Sequence, residues 1–384
     1  MKIYHYPIFT FFLLFFSNAQ ASVSPVVPID VYEVVEYPQL DRGTLPIGTR
    51  TIFDIVTMGY TSEPSKTYRG GFVCTSSSNS ENGACPTTLV YNYNTSPLTI
   101  KLKLTEKRSH LTRDIELLGT NINIYPQPAI SEGCSTYSKP YAMNNAQSPG
   151  SCNGYGTSGN ALRLWFNQSE LNKLPVGGIW TGKLVINYIN GLWSSNNGKK
   201  LSTITVNFNL NLTDKSNIQV WLPQFKTGQP QLDLNIKPKI SSGNVLQSSF
   251  SGQNTLDLCL YDGYSTNSSS MEMKITGSGG GQGTTSFYLQ GKNGAELPYS
   301  VNFLFEGDSI GKLITNGSNW SVNNASSLAI HWNRIAPVTL PDISVPVLCW
   351  PAKIILKTHV PSTTASGEYI GNLNMIFTPS SSSM

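Results

Sequence analysis

The sequence predicts an all-β protein built from two β-sandwich domains in tandem, and three observations predict it. First, Ile204, Val206, Phe208, Leu210 and Leu212 alternate without a break against Thr205, Asn207, Asn209 and Asn211. A period of two puts the apolar side chains on one face of a strand and the amides and hydroxyls on the other. Second, Thr213, Asp214, Lys215, Ser216 and Asn217 interrupt that pattern, and Ile218, Val220 and Leu222 resume it until Pro223 ends it. Third, no segment sustains the 3.6-residue periodicity of an amphipathic helix. The two strands around residue 215 therefore read as the last strand of one domain and the first strand of the next. A joint this short predicts a nearly fixed orientation between the halves.

A chain of 384 residues is long enough for two or three domains with cores of their own. Only 12% of the residues are charged, against about 25% in an average soluble protein. Ser, Thr, Asn and Gly supply the polarity instead, as turn-rich β-domains require. The formal charge of +4 is mild, scattered and without a long Lys/Arg run, so nucleic acid is not an expected partner.

At the N-terminus, Lys2 precedes a short apolar run from Ile8 to Phe16, and Ala19-Gln20-Ala21 follows. These are the three parts of a secretory signal peptide over residues 1–21, with cleavage expected after Ala21. The run is short for a bilayer core of about 30 Å, and no later segment is more apolar for longer. Six cysteines in an exported chain predict three disulfides. Spacing favours Cys74 with Cys85, Cys134 with Cys152, and Cys259 with Cys349 over the other pairings that six cysteines permit. The first two would staple Gly/Ser/Asn-rich loops, each contributing roughly 3 kcal/mol on a loop-entropy basis; the third would tie distant strands. Zinc is disfavoured, because no Cys-x-x-Cys occurs and no histidine lies near a cysteine pair in sequence.

Residues 22–46 hold two proline-bounded apolar patches, one of which, 31–35, alternates poorly. Short strands are expected at 55–60, 71–73 and 89–93, and a better one at 98–106, where Leu98, Ile100, Leu102 and Leu104 face one way. Strands at 114–118 and 122–125 precede a Gly/Ser/Asn-rich loop over 131–160. A strand at 162–166, a single helical turn at 169–174 stopped by Pro175, and a strand at 180–188 lead back to the central alternation. Past the joint, strands are expected at 232–236, 255–261, 271–275, 286–290, 299–305, 327–332, 343–348, 353–358 and 369–378, with a glycine-rich hairpin tip at 277–283. Turn signals roughly every 8–12 residues are the spacing of an immunoglobulin-like sandwich. The last strand ends near the C-terminus, and an uncovered sheet edge there would be a pairing site for another chain.

Catalytic constellations are missing. Of four histidines, His5 leaves with the signal peptide, His331 alternates on a strand between Ile330 and Trp332, and His110 closes the basic turn Lys107-Arg108-Ser109-His110. No Gly-x-Ser-x-Gly or His-Glu-x-x-His occurs. Gly277 to Gly281 has no following Lys-Ser/Thr, so it is a hairpin and not a phosphate loop. Glu33 with Glu36, or Asp114 with Glu116, could be drawn as a glycosidase pair, but carboxylates at that spacing on a strand usually belong to a solvated face. No enzyme activity, cofactor or metal is expected.

The stretch Leu212-Thr213-Asp214-Lys215-Ser216-Asn217-Ile218-Gln219-Val220-Trp221-Leu222-Pro223-Gln224-Phe225-Lys226 resembles the two-domain tip adhesins of class 5, alternate chaperone–usher fimbriae, the colonisation-factor family of enteric bacteria. The likeness recurs at Tyr261-Asp262-Gly263-Tyr264-Ser265-Thr266-Asn267, at Ile343-Ser344-Val345-Pro346-Val347-Leu348-Cys349-Trp350-Pro351 and at Phe377-Thr378-Pro379-Ser380. Looser echoes lie at Asp41-Arg42-Gly43, in the Cys74 to Cys85 loop, at Thr105-Glu106-Lys107-Arg108-Ser109 and at Leu171-Asn172-Lys173-Leu174-Pro175.

The resemblance implies an adhesin domain over residues 22–214, a linker at 215–217 and a pilin domain over 218–384, both domains immunoglobulin-like. It implies that the pilin domain is an incomplete fold, filled first by a periplasmic chaperone strand at an outer-membrane usher and later by the donor strand of a major pilin subunit. It also implies receptor binding by arginines on the first domain, one of them just before the first cysteine loop, and Arg69 occupies that place. Arg69 is thus the candidate for recognising a host glycan or glycoprotein through a guanidinium fork on an acidic sugar. An adjacent arginine pair that the family carries after Trp180 is absent; the stretch reads Tyr188-Ile189-Asn190-Gly191. Trp193 beside Lys199 and Lys200 offers an alternative aromatic and charged surface there. The resemblance implies a fimbrial-tip location and host-cell binding, with a structural initiator of fimbrial assembly as the alternative.

Overall fold

The computed structural model describes residues 24–380 apart from 64–67, 148–154, 192–197, 226–227, 240–248, 279–284, 306–307, 324–334, 362 and 365. The first half contains β1 (Val31–Asp41), β2 (Thr49–Tyr60), β3 (Gly70–Cys74), β4 (Leu98–Glu106), β5 (Thr112–Ile124), a helix α1 (Gln127–Ser131), β6 (Tyr141–Ala142), β7 (Gly159–Asn167), β8 (Gly178–Asn190) and β9 (Lys200–Thr213). One hydrogen-bonded path runs β1-β9-β8-β4-β5-β7-β2, with β3 added to β8 and β6 to β5. The alternation read at 204–212 is β9, and all five of its apolar side chains are buried. Trp180, Ile100, Leu102, Leu104, Ile115, Leu117, Leu162 and Phe166 complete a sealed core.

Several local readings change. The weakly alternating 31–35 patch belongs to an eleven-residue strand, because β1 lies parallel along β9, from Val31 on Ile204 to Asp41 on Thr213. Its ladder shifts register between Tyr37 and Leu40, around Pro38, a residue with no N–H to give. The two expected strands at 114–118 and 122–125 are one strand, β5, continuous across Gly119. Residues 89–93 form a single bridge from Val90 to Asn145 rather than a strand. The turn at 169–174 is a 3-10 turn, Gln168–Lys173, capped by Asn167.

The second half contains β10 (Gln219–Trp221), β11 (Lys237–Lys239), β12 (Ser249–Tyr261), β13 (Ser270–Gly277), β14 (Phe287–Gly291), β15 (Glu296–Phe305), β16 (Lys312–Leu313), β17 (Asn319–Asn323), β18 (Ala336–Val338), β19 (Val347–Val360), β20 (Tyr369–Ile370) and β21 (Leu373–Pro379). A larger sheet runs β10-β12-β19-β15-β14-β20, and a smaller one runs β17-β13-β21. Residues 232–236 are not a strand, and the strand expected at 343–348 begins at Val347. The expected strand at 327–332, with His331, and most of the glycine-rich tip lie outside the described residues, as does the signal peptide. The protein is all-β in two domains.

Cys74–Cys85 and Cys259–Cys349 are disulfides. The second joins β12 to β19, which pair directly in one sheet, so its cysteines are distant in sequence and adjacent in space. Cys134 is disulfide-bonded, and its expected partner Cys152 lies outside the described residues.

The domains meet over a buried polar joint. Residues 215–217 form one 3-10 turn. Beside it the Asp214 N–H donates to Gly263 O at 2.7 Å, the Ser265 hydroxyl donates to Gly177 O at 2.6 Å, and Arg42 pairs with Asp214 at 2.7 Å. Asp262 folds the 262–268 loop around its own carboxylate, accepting from the N–H groups of Tyr264, Thr266 and Ser268. Ser265 and Thr266 take left-handed backbone conformations there, with φ of 50° and 60°. Glu106, fully buried, accepts from Arg108 N, Ser109 N and Oγ, Ile179 N and Asn267 Nδ2. Tyr261, Ile343 and Val347 of the second domain share one apolar cluster with Leu174, Val176 and Trp180 of the first.

Candidate binding site

Arg69 sits at the mouth of β3, where Gly70 pairs with Asn190 at the end of β8. The glycines make that close approach possible: a Cβ on Gly70 would strike the Ile189 carbonyl, and one on Gly71 would meet Leu89 and Asn144. The Cys74–Cys85 bond holds the other end of β3.

The Arg69 carbonyl accepts from Gly191 N, and its Nε donates to Thr157 O at 2.6 Å. Its Nη2 rests where a Cβ on Gly156 would be, so any larger residue at 156 would displace the guanidinium. Backbone carbonyl contact fixes the head group, and no carboxylate pairs with Arg69 among the described residues. Burial draws its pKa below the ordinary arginine value. A half-buried guanidinium lacking a counter-ion favours an incoming anion more than a solvated one does, because part of its desolvation has already occurred.

Beneath it lies an asparagine network. Asn160 Oδ1 accepts from Gly70 N at 2.7 Å and from the Tyr188 hydroxyl at 2.9 Å. Asn160 Nδ2 donates to Asn121 Oδ1 and Asn123 Oδ1 at 2.9 and 3.2 Å. Asn121 Nδ2 in turn donates to Gly70 O at 2.8 Å and Asn145 O at 2.7 Å. All four asparagines are buried. Leaving any one of these buried groups unpaired would cost about 1–3 kcal/mol, so the network fixes where Gly70, and with it Arg69, must stand. Tyr188 stacks on Phe72 with centroids 4.9 Å apart, and burial pushes its hydroxyl pKa well up. No spacing in the sequence joins residues 121, 123, 145 and 160, so nothing there marks these asparagines as a network.

The other candidates fall elsewhere. Lys199 and Lys200 are exposed, and Trp193 lies outside the described residues. At the end of β8, Tyr188 and Asn190 turn inward and are buried. His110 closes the turn that Glu106 organises, and Arg108 Nε donates to Asn267 Oδ1 at 3.1 Å across the domain joint, so the Lys107–His110 turn is structural. Glu36, Asp114 and Glu116 are exposed strand residues; Asp114 accepts from Ser80 Oγ.

The second domain carries a different feature. β21 is bonded along its length to β13 alone among the described residues, leaving its other edge unpaired. Leu373, Met375 and Phe377 on that strand pack half-buried against the core, while Ile376 is 56% exposed.

A disulfide-bonded, two-domain, all-β protein is the class these features define. Residues 18–215 match the family model of the first domain of CfaE, a CFA/I fimbrial protein, and residues 218–381 match that of its second domain. The chain therefore belongs to the CfaE family of CFA/I fimbrial proteins, which is adhesive and structural and not enzymatic. It is 38% identical over 351 residues to the CFA/I fimbrial protein of that family from Escherichia coli, covering 90% of this chain and 89% of that protein. The crystal structure of CfaE, the adhesive subunit of CFA/I fimbria of enterotoxigenic Escherichia coli, superposes with a TM-score of 0.77 at 33% identity, over 94% of this chain and 95% of that one. A chaperone–tip adhesin complex of CFA/I fimbriae contains a chain 32% identical, with a TM-score of 0.69, covering 95% of this chain and 100% of that one.

Proposed function

We propose that this protein is a fimbrial-tip adhesin, exported through the periplasm, whose first domain (22–214) binds a host glycan or glycoprotein through Arg69. Its second domain (218–384) joins the filament. The observation that carries the binding reading is the half-buried Arg69 guanidinium, held by the Thr157 carbonyl and without a carboxylate partner among the described residues. A sialic-acid carboxylate matches its open fork. The filament reading rests on β21. An unpaired edge with a half-buried apolar row is a place for a donated strand, whose backbone would complete the ladder and whose alternate side chains would cover Leu373, Met375 and Phe377. A periplasmic chaperone would supply that strand first, and a major pilin subunit would replace it at the usher. On this reading the second domain is an immunoglobulin-like sandwich one strand short.

Beads coated with the full chain test the binding reading by erythrocyte agglutination. Wild type agglutinates and Arg69→Ala loses at least about tenfold in titre, the scale of one charge-assisted pair. Undiminished agglutination by Arg69→Ala would remove Arg69 from the site, and no agglutination by either protein would favour an assembly initiator.

A further inference from the structure

The loop at residues 90–94 stands beside the Arg69 network and is unusually well fixed for an exposed turn. Asn145 Nδ2 donates to Asn92 O at 2.7 Å and to Asn92 Oδ1 at 3.0 Å, while Asn145 Oδ1 accepts from Gln147 N at 2.9 Å. Asn92 Oδ1 also accepts from Asn94 N at 3.0 Å, and Asn94 O accepts from Ala142 N at 3.1 Å. Val90 is bridged on both sides of Asn145, to Asn144 O and from Ala146 N. The residue at the centre of this clamp, Tyr93, is 74% exposed. Its two asparagine neighbours spend their side chains on fixing the turn, and its ring stands out in solvent.

Two shared asparagines tie that loop to Arg69. Asn121 bridges Gly70 O and Asn145 O, and Asn145 holds Asn92. At the same point Ala146 faces the Gly191 that bonds the Arg69 carbonyl. A rigid exposed tyrosine costs little entropy when its ring is covered, which is why this residue serves so often in binding surfaces. The face of such a ring matches the C–H face of a neutral sugar.

We infer that Tyr93 is a second subsite: a platform on which a neutral hexose or hexosamine of the receptor oligosaccharide stacks while its acidic sugar engages Arg69. This rests on the Arg69 reading above and adds to it that the ligand is an oligosaccharide and not a single acidic sugar. The loop is pre-organised by Asn145, so the platform needs no rearrangement to receive the ring.

The test uses the full chain on an array of sialylated oligosaccharides and their desialylated counterparts, with N-acetylneuraminic acid as a soluble monosaccharide. Tyr93→Ala should lower oligosaccharide binding about tenfold, the effect of uncovering one ring face, and Tyr93→Phe should bind as wild type. Monosaccharide binding should survive Tyr93→Ala and be lost in Arg69→Ala. If Tyr93→Ala binds oligosaccharides as wild type while Arg69→Ala does not, the subsite is overturned and the Arg69 reading stands. If Tyr93→Ala loses monosaccharide and oligosaccharide equally, the loop only props Arg69, and the subsite is again overturned. Wild-type binding in both variants, or no binding by the wild type, overturns both readings.

Discussion

The two domains close their cores differently. In the first, nine strands lie in one bonded sheet, and the side chains of β4, β5, β8 and β9 that face inward are buried almost to the last atom. In the second, the smaller sheet ends at β21, where Leu373, Met375 and Phe377 reach the core yet stay half-exposed. The first domain also spends its polar residues inward, on the asparagine network; the second brings its buried polar loop, 262–268, to the domain joint. A domain that seals itself can hold a rigid site at its end. One that leaves an edge uncovered would, on the proposed reading, take its last measure of stability from a neighbour's strand.

The largest expected difference lies in the disulfides. Cys259–Cys349 closes 90 residues and Cys74–Cys85 closes 11, which loop entropy converts to about 5 and about 3 kcal/mol. Denaturant unfolding of the Cys259→Ala/Cys349→Ala chain should show the greater loss, confined to the second domain's transition. An equal or smaller loss than in Cys74→Ala/Cys85→Ala would mean that the second domain's stability does not depend on that tie.

Next in size is Gly177→Ala. A Cβ there would collide with the Gly263 carbonyl and with the backbone at Leu212 and Asp214, so the joint must open to admit it. The expected cost is about 1–3 kcal/mol, with the two unfolding transitions moving apart in calorimetry. A variant that unfolds as the wild type does would show that the joint transmits nothing between the domains.

The smallest effect is a pH dependence. Burial raises the Asp262 carboxyl above its ordinary value, against the backbone N–H bonds that lower it. The folded protein therefore keeps that proton at pH values where the unfolded chain has released it. Stability then falls as pH rises from the ordinary carboxylate range, about 4, through the raised folded value, and is regained on acidification. Relative to Asp262→Asn, the wild type should lose at most about 1.4 kcal/mol per pH unit within that window. A slope of the opposite sign would mean that the carboxylate is stabilised, not strained, by its loop.

Much of the chain was legible because the relevant signals are local. The period of two located β4, β7, β8, β9, β12, β13 and β15, and cysteine spacing paired Cys74 with Cys85 and Cys259 with Cys349. Arg69 was legible only through resemblance, since nothing in Thr67-Tyr68-Arg69-Gly70 distinguishes it from a solvated strand residue. Tyr93 was lost inside an expected strand because Asn145, which holds the loop instead, is more than fifty residues away. The α1 helix gave no periodic signal, being five residues long.

By itself, the sequence determined the all-β character, the break in alternation near residue 215 and the Cys74–Cys85 and Cys259–Cys349 pairs, and it carried the expectation of export. The strands and the break follow from side-chain alternation over a few neighbouring residues, and the cysteine pairs from the order and spacing of the cysteines along the chain. Only the tertiary structure decided that β1 runs parallel along β9, that four scattered asparagines meet beneath Gly70, and that Asp262 and Glu106 are buried at one joint. Those outcomes depend on which strands pair, and pairing is fixed by long-range packing that no local period encodes.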